Sequence, residues 1–229
     1  MIQLPDFSTQ AMYDAETNFH LMMNEERLSK FLVHWEAMKL ASNVPGAIVE
    51  CGVFKGTSFV RFALMRQILG GNFSAKLIAF DVFSDDFPDT SFEQDKAQRN
   101  HWIETAGSSS ISADQLTATL KHKGITNFEI VAGDATITVP DYAMQNQGLK
   151  ICLLNVDIDF VEPTLAVLEH LYDRVSRGGV ILLDNYSGEG TSGKSYHGDT
   201  YAIDKFFSNR DVKIKKFPFA ARPAYLIKE

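Results

Sequence analysis

Several things are scarce in this sequence, and each shortage removes a class of protein. Cysteine occurs only at Cys51 and Cys152 in 229 residues, both inside apolar runs that read as buried strands. That usage speaks against a disulfide framework or a thiolate metal cluster. Positive charge is in deficit: 22 Lys plus Arg against 29 Asp plus Glu leave a formal charge of −7. The densest basic stretch, Lys213 to Lys216, is short and interrupted by Ile214, so the field of the chain repels a polyphosphate and nucleic acid is not an expected partner. No apolar run approaches the roughly 18 residues needed to cross a bilayer. The first residues lack the basic-then-apolar order of a secretory signal. No membrane partner and a cytoplasmic location are therefore expected. No internal repeat and no low-complexity segment is found.

What is present, 45% hydrophobic and 22% charged residues, suits one globular domain with a modest helical extension. Leu28, Phe31, Leu32, Trp35 and Met38 recur at helical spacing, and the Asn43-Val44-Pro45-Gly46 turn signal ends that pattern. Residues 1–45 are read as an N-terminal helical extension and 46–229 as the main domain. The extension, with Met12, Met22, Met23 and Trp35, has three open roles: packing on the core, which comes first, closing an acceptor pocket, or forming a homo-oligomer.

Beyond it, short apolar runs at Ala47 to Cys51, Leu77 to Phe80, Phe128 to Ala132, Ile151 to Val156 and Val180 to Leu183 alternate with helices. One helix starts at Thr57-Ser58 and stops at Gly70-Gly71. Another follows Val161, carries Leu165, Leu168, Leu171, Tyr172 and Val175 on one face, and ends at Gly178-Gly179. Continuous apolar strands alternating with helices predict an α/β fold: a Rossmann-like, mostly parallel sheet covered on both faces. Val212 to Phe217 and Ala224 to Ile227 predict an antiparallel C-terminal hairpin at one edge. The polar stretch Ser84 to Ser110 reads as a loop or lid.

Ligands of open parallel sheets bind outside the carboxyl ends of the strands, and acidic residues sit at four of them. Asp81 follows the second run, Gly133-Asp134 the third, Asp157 and Asp159 the fourth, and Asp184-Asn185 the fifth. Any one of these could serve only as a turn former or helix cap; four in sequence are harder to dismiss. The first strand-to-helix turn reads Glu50-Cys51-Gly52-Val53-Phe54-Lys55-Gly56-Thr57-Ser58. A dinucleotide fingerprint wants glycine where Phe54 stands, so phosphate cradling is disfavoured. Asp81 is placed to accept hydrogen bonds from ribose hydroxyls, which would serve NAD as well. Asp134 is placed either for an adenine edge or as a helix cap. If the fourth and fifth strands are neighbours, Asp157 and Asp184-Asn185 emerge side by side, an oxygen-only ligand set suited to Mg²⁺ rather than zinc.

The pattern Glu50-x-Gly52-x-x-x-Gly56 resembles the first motif of class I S-adenosylmethionine-dependent methyltransferases. Asp157-x-Asp159-x-x-Glu162-x-Thr164, with Gly178-Gly179 leading to Asp184-Asn185-Tyr186, resembles the macrocin O-methyltransferase-like family, from about Ala47 to Phe207. The resemblance implies methyl transfer from S-adenosylmethionine to a hydroxyl of a small-molecule acceptor, a sugar or glycoside. It implies cofactor contacts from Glu50, Gly52, Gly56, Ser58, Asp81 and Asp134, a Mg²⁺ held by Asp157, Asp184 and Asn185, and Asp157 as the general base. His197 and Lys194, in the Gly- and Ser-rich segment from Ser187 to Thr200, are weaker base candidates. Family members usually carry Asp-Asp where this chain has Asp184-Asn185, and Asp-Asn is the pair of the catechol-type enzymes. A catechol or other small diol therefore stays open as acceptor. A nicotinamide-dependent oxidoreductase and a non-catalytic binding domain remain further alternatives.

Overall fold

The computed structural model describes residues 1–70, 75–107, 109–186 and 197–229. In chain order the elements are α1 (Thr9–Met22), α2 (Glu25–Ala41), β1 (Ala47–Cys51), α3 (Thr57–Gly70), β2 (Leu77–Asp81), α4 (Glu93–Ala106), α5 (Ala113–His122), β3 (Phe128–Ala132), α6 (Ala135–Gln145), β4 (Ile151–Val156), α7 (Val161–Leu171), β5 (Val175–Leu183), α8 (His197–Phe207) and β6 (Ala224–Ile227). The strands form one sheet in the order β3-β2-β1-β4-β5-β6. All neighbours are parallel except β6, which runs antiparallel to β5. The order reverses direction between β1 and β4, and a crevice opens at such a switch point because successive crossovers leave on opposite sides.

The period-2 geometry of a strand divides each apolar run between two cores. Val49, Cys51, Phe80, Leu154 and Val156 face α6, α7 and α8. Ile48, Leu77, Leu153, Val180 and Leu182 face α2, α3 and α5. Phe59 and Phe62, one turn apart on α3, are fully buried in the second core, each contributing on the order of 2–3 kcal/mol through burial.

Four sequence expectations are corrected. First, α2 buries Ser29, Val33, His34, Ala37, Met38 and Ala41; of the expected stripe Met38 is buried and Trp35 packs on the core, whereas Leu28, Phe31 and Leu32 are each about 40% exposed. Ser29, Val33, Ala37 and Ala41, small or β-branched, let the helix lie close to the sheet. Second, packing on the core holds for α2 and not for α1, which has no buried residue. Third, the helix after Val161 ends at Leu171, followed by a single 3₁₀ turn, Tyr172–Arg174. Val175 belongs to β5, where it pairs with Ile151 across a register shift. Fourth, only β6 of the expected hairpin is a strand; its would-be partner touches it through one isolated bridge, Lys215 to Tyr225. The other edge of β6 pairs with β5 over four residue pairs.

The stretch read as a loop or lid contains α4. It is tied to α7 by two carboxylates: Asp95 Oδ2 accepts from the Val161 amide at 2.7 Å, and Glu162 accepts from Thr90 Oγ1 at 3.1 Å and the Ser91 amide at 3.2 Å.

Candidate active site

A cleft of about 1640 Å³ runs along the carboxyl ends of β1, β2, β3, β4 and β5. Gly52, Thr57, Ser58, Asp81 and Asp134 line one part of it; Asp157, Asp159, Asp184 and Asn185 line the other. The roof comes from α2, through Asn24, Arg27 and Lys30, and from α4 with its leading loop, through Phe87, Gln94 and His101.

The turn after β1 has a specific cause. Gly52 sits at φ +92°, and a Cβ there would lie 1.9 Å from the carbonyl oxygen of Asp157. Only glycine lets the ends of β1 and β4 meet this closely. Asp81 Oδ2 then accepts from the Val53 and Phe54 amides at 2.5 and 2.7 Å. These are amides that a diphosphate would need, and a carboxylate from the neighbouring strand already holds them, so the expected exclusion of phosphate has a second physical reason beside the Phe54 side chain. Asp81 keeps its place in the cleft, but its better acceptor serves the turn rather than a ribose.

The remaining cofactor candidates divide. Ser58 and Asp134 line the cleft; Asp134 also caps α6, its Oδ1 accepting from the Thr136 amide at 2.8 Å, so both roles considered for it are compatible. Gly56 faces away, where a Cβ would meet Ile111 Cδ1 at 3.1 Å and Leu116 Cδ1 at 3.4 Å. Its part is close packing of the turn against α5. Glu50 is fully buried one layer beneath the cleft, with Oε1 accepting from Asn155 Nδ2 at 2.9 Å and Oε2 without a partner. Burial pushes its carboxyl up to about 7, against the opposing pull of nearby Ser58 and of the Asn155 hydrogen bond that the geometry shows.

The acidic corner assembles because β4 and β5 are parallel neighbours with Val156 opposite Leu183, so Asp157 and Asp184 leave the sheet side by side. Between them lies Lys30 of α2, a residue that motif reading passed over: its Nζ is 3.0 Å from Asp157 Oδ2 and 2.8 Å from Asp184 Oδ2. One turn along α2, His34 stacks on Phe62 at 4.5 Å and brings Nε2 to 4.0 Å from Asp184 Oδ1, while its Nδ1 lies 3.2 Å from Arg61 Nη1. A guanidinium can only donate, so Nδ1 accepts and the ring proton sits on Nε2, facing Asp184. Burial pulls His34 down to about 4, in keeping with a neutral ring.

Burial resists ionisation of Asp184, but the adjacent Lys30 ammonium outweighs it and holds Asp184 far below the ordinary carboxylate range. Asp157 goes the other way, raised well above that range by burial and then by the charge of Asp184. Burial and Asp184 push Asp159 up to about 6, and burial and Asp159 raise Asp199. Asn185 turns its Nδ2 to Asp159 Oδ1. The Oδ1 atoms of Asp184 and Asn185 are buried and unpartnered. Among the described residues no preformed group of three metal-ligating His, Cys, Asp or Glu side chains is found. The donor chemistry of Asp157, Asp184 and Asn185 nonetheless fits a hard divalent cation.

Lys194 lies outside the described residues, and His197 opens α8 with its side chain outside them.

Comparison with known proteins decides the family. The model of the macrocin O-methyltransferase (TylF) family matches residues 8–212. The chain belongs to that family. Among curated proteins, this member resembles the 8-demethyl-8-(2,3-dimethoxy-alpha-L-rhamnosyl)-tetracenomycin-C 4'-O-methyltransferase of Streptomyces olivaceus, with 27% identity over 175 residues. That match covers 73% of the chain and 63% of the relative, so the chain spans less than two thirds of the relative's length. Among solved structures, the calicheamicin methyltransferase CalS11 superposes with a TM-score of 0.68 at 22% identity, covering 96% of this chain and 87% of that one. The O-methyltransferase NovP gives 0.71 at 17%, covering 87% and 79%. The fold of this family member is thus the class I methyltransferase fold, with the antiparallel strand at the sheet edge.

Proposed function

We propose that the protein is an S-adenosylmethionine-dependent O-methyltransferase acting on a hydroxyl of a sugar or glycoside, with Mg²⁺ as its metal. One observation carries the reading: Asp157 and Asp184 stand together at neighbouring strand ends, in one cleft with a Gly52 turn whose Val53 and Phe54 amides are held by Asp81. The named activities of the relatives, a rhamnosyl O-methyltransferase and a TDP-rhamnose 3'-O-methyltransferase, support the acceptor class.

On this reading Gly52, Ser58 and Asp134, which line the cleft, would hold S-adenosylmethionine, which would supply an electrophilic methyl group to the acceptor oxygen, with the carbon–sulfur electron pair left on sulfur and its positive charge lost. Holding oxygen, carbon and sulfur in line supplies most of the acceleration, a task for the Gly52 turn on one side and the α2 and α4 roof on the other. A sugar hydroxyl is a poor nucleophile near neutral pH. Asp157, whose affinity for a proton is raised by burial and by Asp184, takes the hydroxyl proton as general base. Asp157, Asp184 and Asn185 would hold Mg²⁺, which supplies acidification and orientation of the acceptor hydroxyl when bound. His34 stands behind Asp184, its Nε2 4.0 Å from Oδ1. A cytoplasmic location goes with this reading, and α1, with Met12, Phe19 and Leu21 exposed, offers surface for self-association.

A second reading, the same chemistry on a catechol or small diol, is favoured only by Asn185 in place of a second aspartate. Incubation with S-adenosylmethionine and a panel of glycosides, sugar nucleotides and catechols, read by mass spectrometry, tests both. Methylated sugars are expected. Turnover confined to catechols would move the assignment to the second reading, and no methyl transfer to any acceptor would remove both.

A further inference from the structure

The corner formed by Asp157 and Asp184 already contains a cation, and it is part of the chain. Lys30 reaches in from α2, 127 residues from Asp157 and 154 from Asp184 in sequence, and bonds the Oδ2 atom of each. Two carboxylate oxygens within hydrogen-bond distance of its Nζ favour the ammonium form. The ammonium is therefore a fixed positive charge, side chain 19% exposed, facing a carboxylate that is only 3% exposed.

A divalent ion bound by the same carboxylates would need oxygens at about 2.1 Å. It would then stand within a few ångström of the ammonium in a poorly solvated corner, where two like charges repel strongly. The corner nevertheless has unused capacity for positive charge. Asp184 and Asp199 are buried and Asp157 and Asp159 half-buried, and Lys30 brings only one positive charge to them. The buried Oδ1 atoms of Asp184 and Asn185, each residue 3% exposed, accept from nothing.

We infer that Lys30 is a tethered competitor for the divalent cation: the Asp157–Asp184 corner holds either the Lys30 ammonium or a metal ion, and metal binding swings the lysine out into the cleft. The inference rests on the reading of this corner as a cation site and deepens it. Because Lys30 sits on α2 beside Asn24 and Arg27, which also line the cleft, the exchange would deliver a positive charge to the acceptor side as the metal enters. An apparent affinity is reduced by the fraction of protein in which the site is open, so the parent protein should bind metal weakly.

The test compares parent and Lys30→Met by Mn²⁺ titration, followed by electron paramagnetic resonance, with no cofactor or acceptor present. The variant should bind Mn²⁺ about tenfold or more tightly; equal or weaker binding, or no binding by either protein, overturns the inference. Should the variant fail to fold in chelator, because its carboxylates lose their counter-charge, Mn²⁺ must restore its melting transition, and no recovery is equally fatal. In the parent, acetylation of lysines read by mass spectrometry should find Lys30 protected without metal and reactive when Mn²⁺ is bound. Protection in both states contradicts the exchange. Calorimetric binding of S-adenosylhomocysteine, run alongside, reports on the proposed reaction separately: its loss would strike at methyl transfer and leave the cation competition standing.

Discussion

Replacing Glu50 by Gln should change how stability depends on pH, in a direction and window set by the structure. The Glu50 carboxyl lies at the end of β1 with no exposure, one oxygen on Asn155 and the other unpartnered. Burial raises its pKa from 4.5 to about 7. A carboxyl that is harder to ionise when folded loses protons first in the unfolded chain. Its contribution is thus intact below the unfolded value and declines as pH climbs through the folded one. The displacement corresponds to about 3 kcal/mol, at about 1.4 kcal/mol for each pH unit. Relative to Glu50→Gln, the parent should therefore lose about 3 kcal/mol between pH 4.5 and about 7, and nothing further above that. Any constant offset from the amide's own hydrogen bonding leaves this slope untouched. Urea unfolding of both proteins across that interval measures it, and the subtraction removes the other buried acids. A difference independent of pH would show that Glu50 is ionised or solvated alike in both states, refuting the account of the β1 end as a dry, acid-bearing layer.

Three further outcomes follow from the same geometry. Gly52→Ala forces a Cβ to 1.9 Å from the Asp157 carbonyl at a φ of +92°; combining backbone strain and overpacking, it should cost about 2–5 kcal/mol, read as a lowered denaturant midpoint, and a midpoint unchanged from the parent would mean that the turn is not close-packed. Asp184→Asn should abolish metal-dependent methyl transfer while leaving S-adenosylhomocysteine affinity nearly intact by calorimetry, whereas undiminished turnover would remove Asp184 from the site. Glu162→Ala releases Thr90 and Ser91, so amide exchange should accelerate around Ser91 while global stability shifts by less than about 1 kcal/mol; unchanged exchange would show that α4 is held by other contacts.

The architecture was legible where local pattern and tertiary environment agree. The runs Ala47–Cys51, Phe128–Ala132 and Ile151–Val156 are strands with those bounds; β1 and β4, buried throughout, read as mostly apolar runs, and β3 at the sheet edge is only half-buried. Pattern failed where a residue's fate depends on a distant partner. Val175 continues a helical face in sequence, yet it pairs with Ile151. On α2 the apolar spacing pointed at Leu28 and Phe31, while close approach to the sheet selected Val33 and Ala37. The acidic strand ends were readable because turns after parallel strands converge by topology alone. Lys30 and His34 were not, since nothing local marks a helical lysine as the partner of carboxylates more than a hundred residues away. Their spacing of four on one face of α2 was the available signal, and it gains meaning only once that face is known to turn toward β4 and β5. Gly56 shows a related ambiguity: a glycine at a strand-to-helix turn can open space for a ligand or for a neighbouring helix, and here the space of its missing Cβ faces Ile111 and Leu116.

The most direct measurement is a crystal structure of the protein grown with S-adenosylhomocysteine. The account predicts the sulfur in the cleft between the Gly52 turn and the Asp157–Asp184 corner, with the amino-acid tail over Thr57 and Ser58 and the adenine toward Asp134. A ligand whose sulfur points away from that corner, or a cleft that refuses this molecule and accepts a dinucleotide, would contradict it.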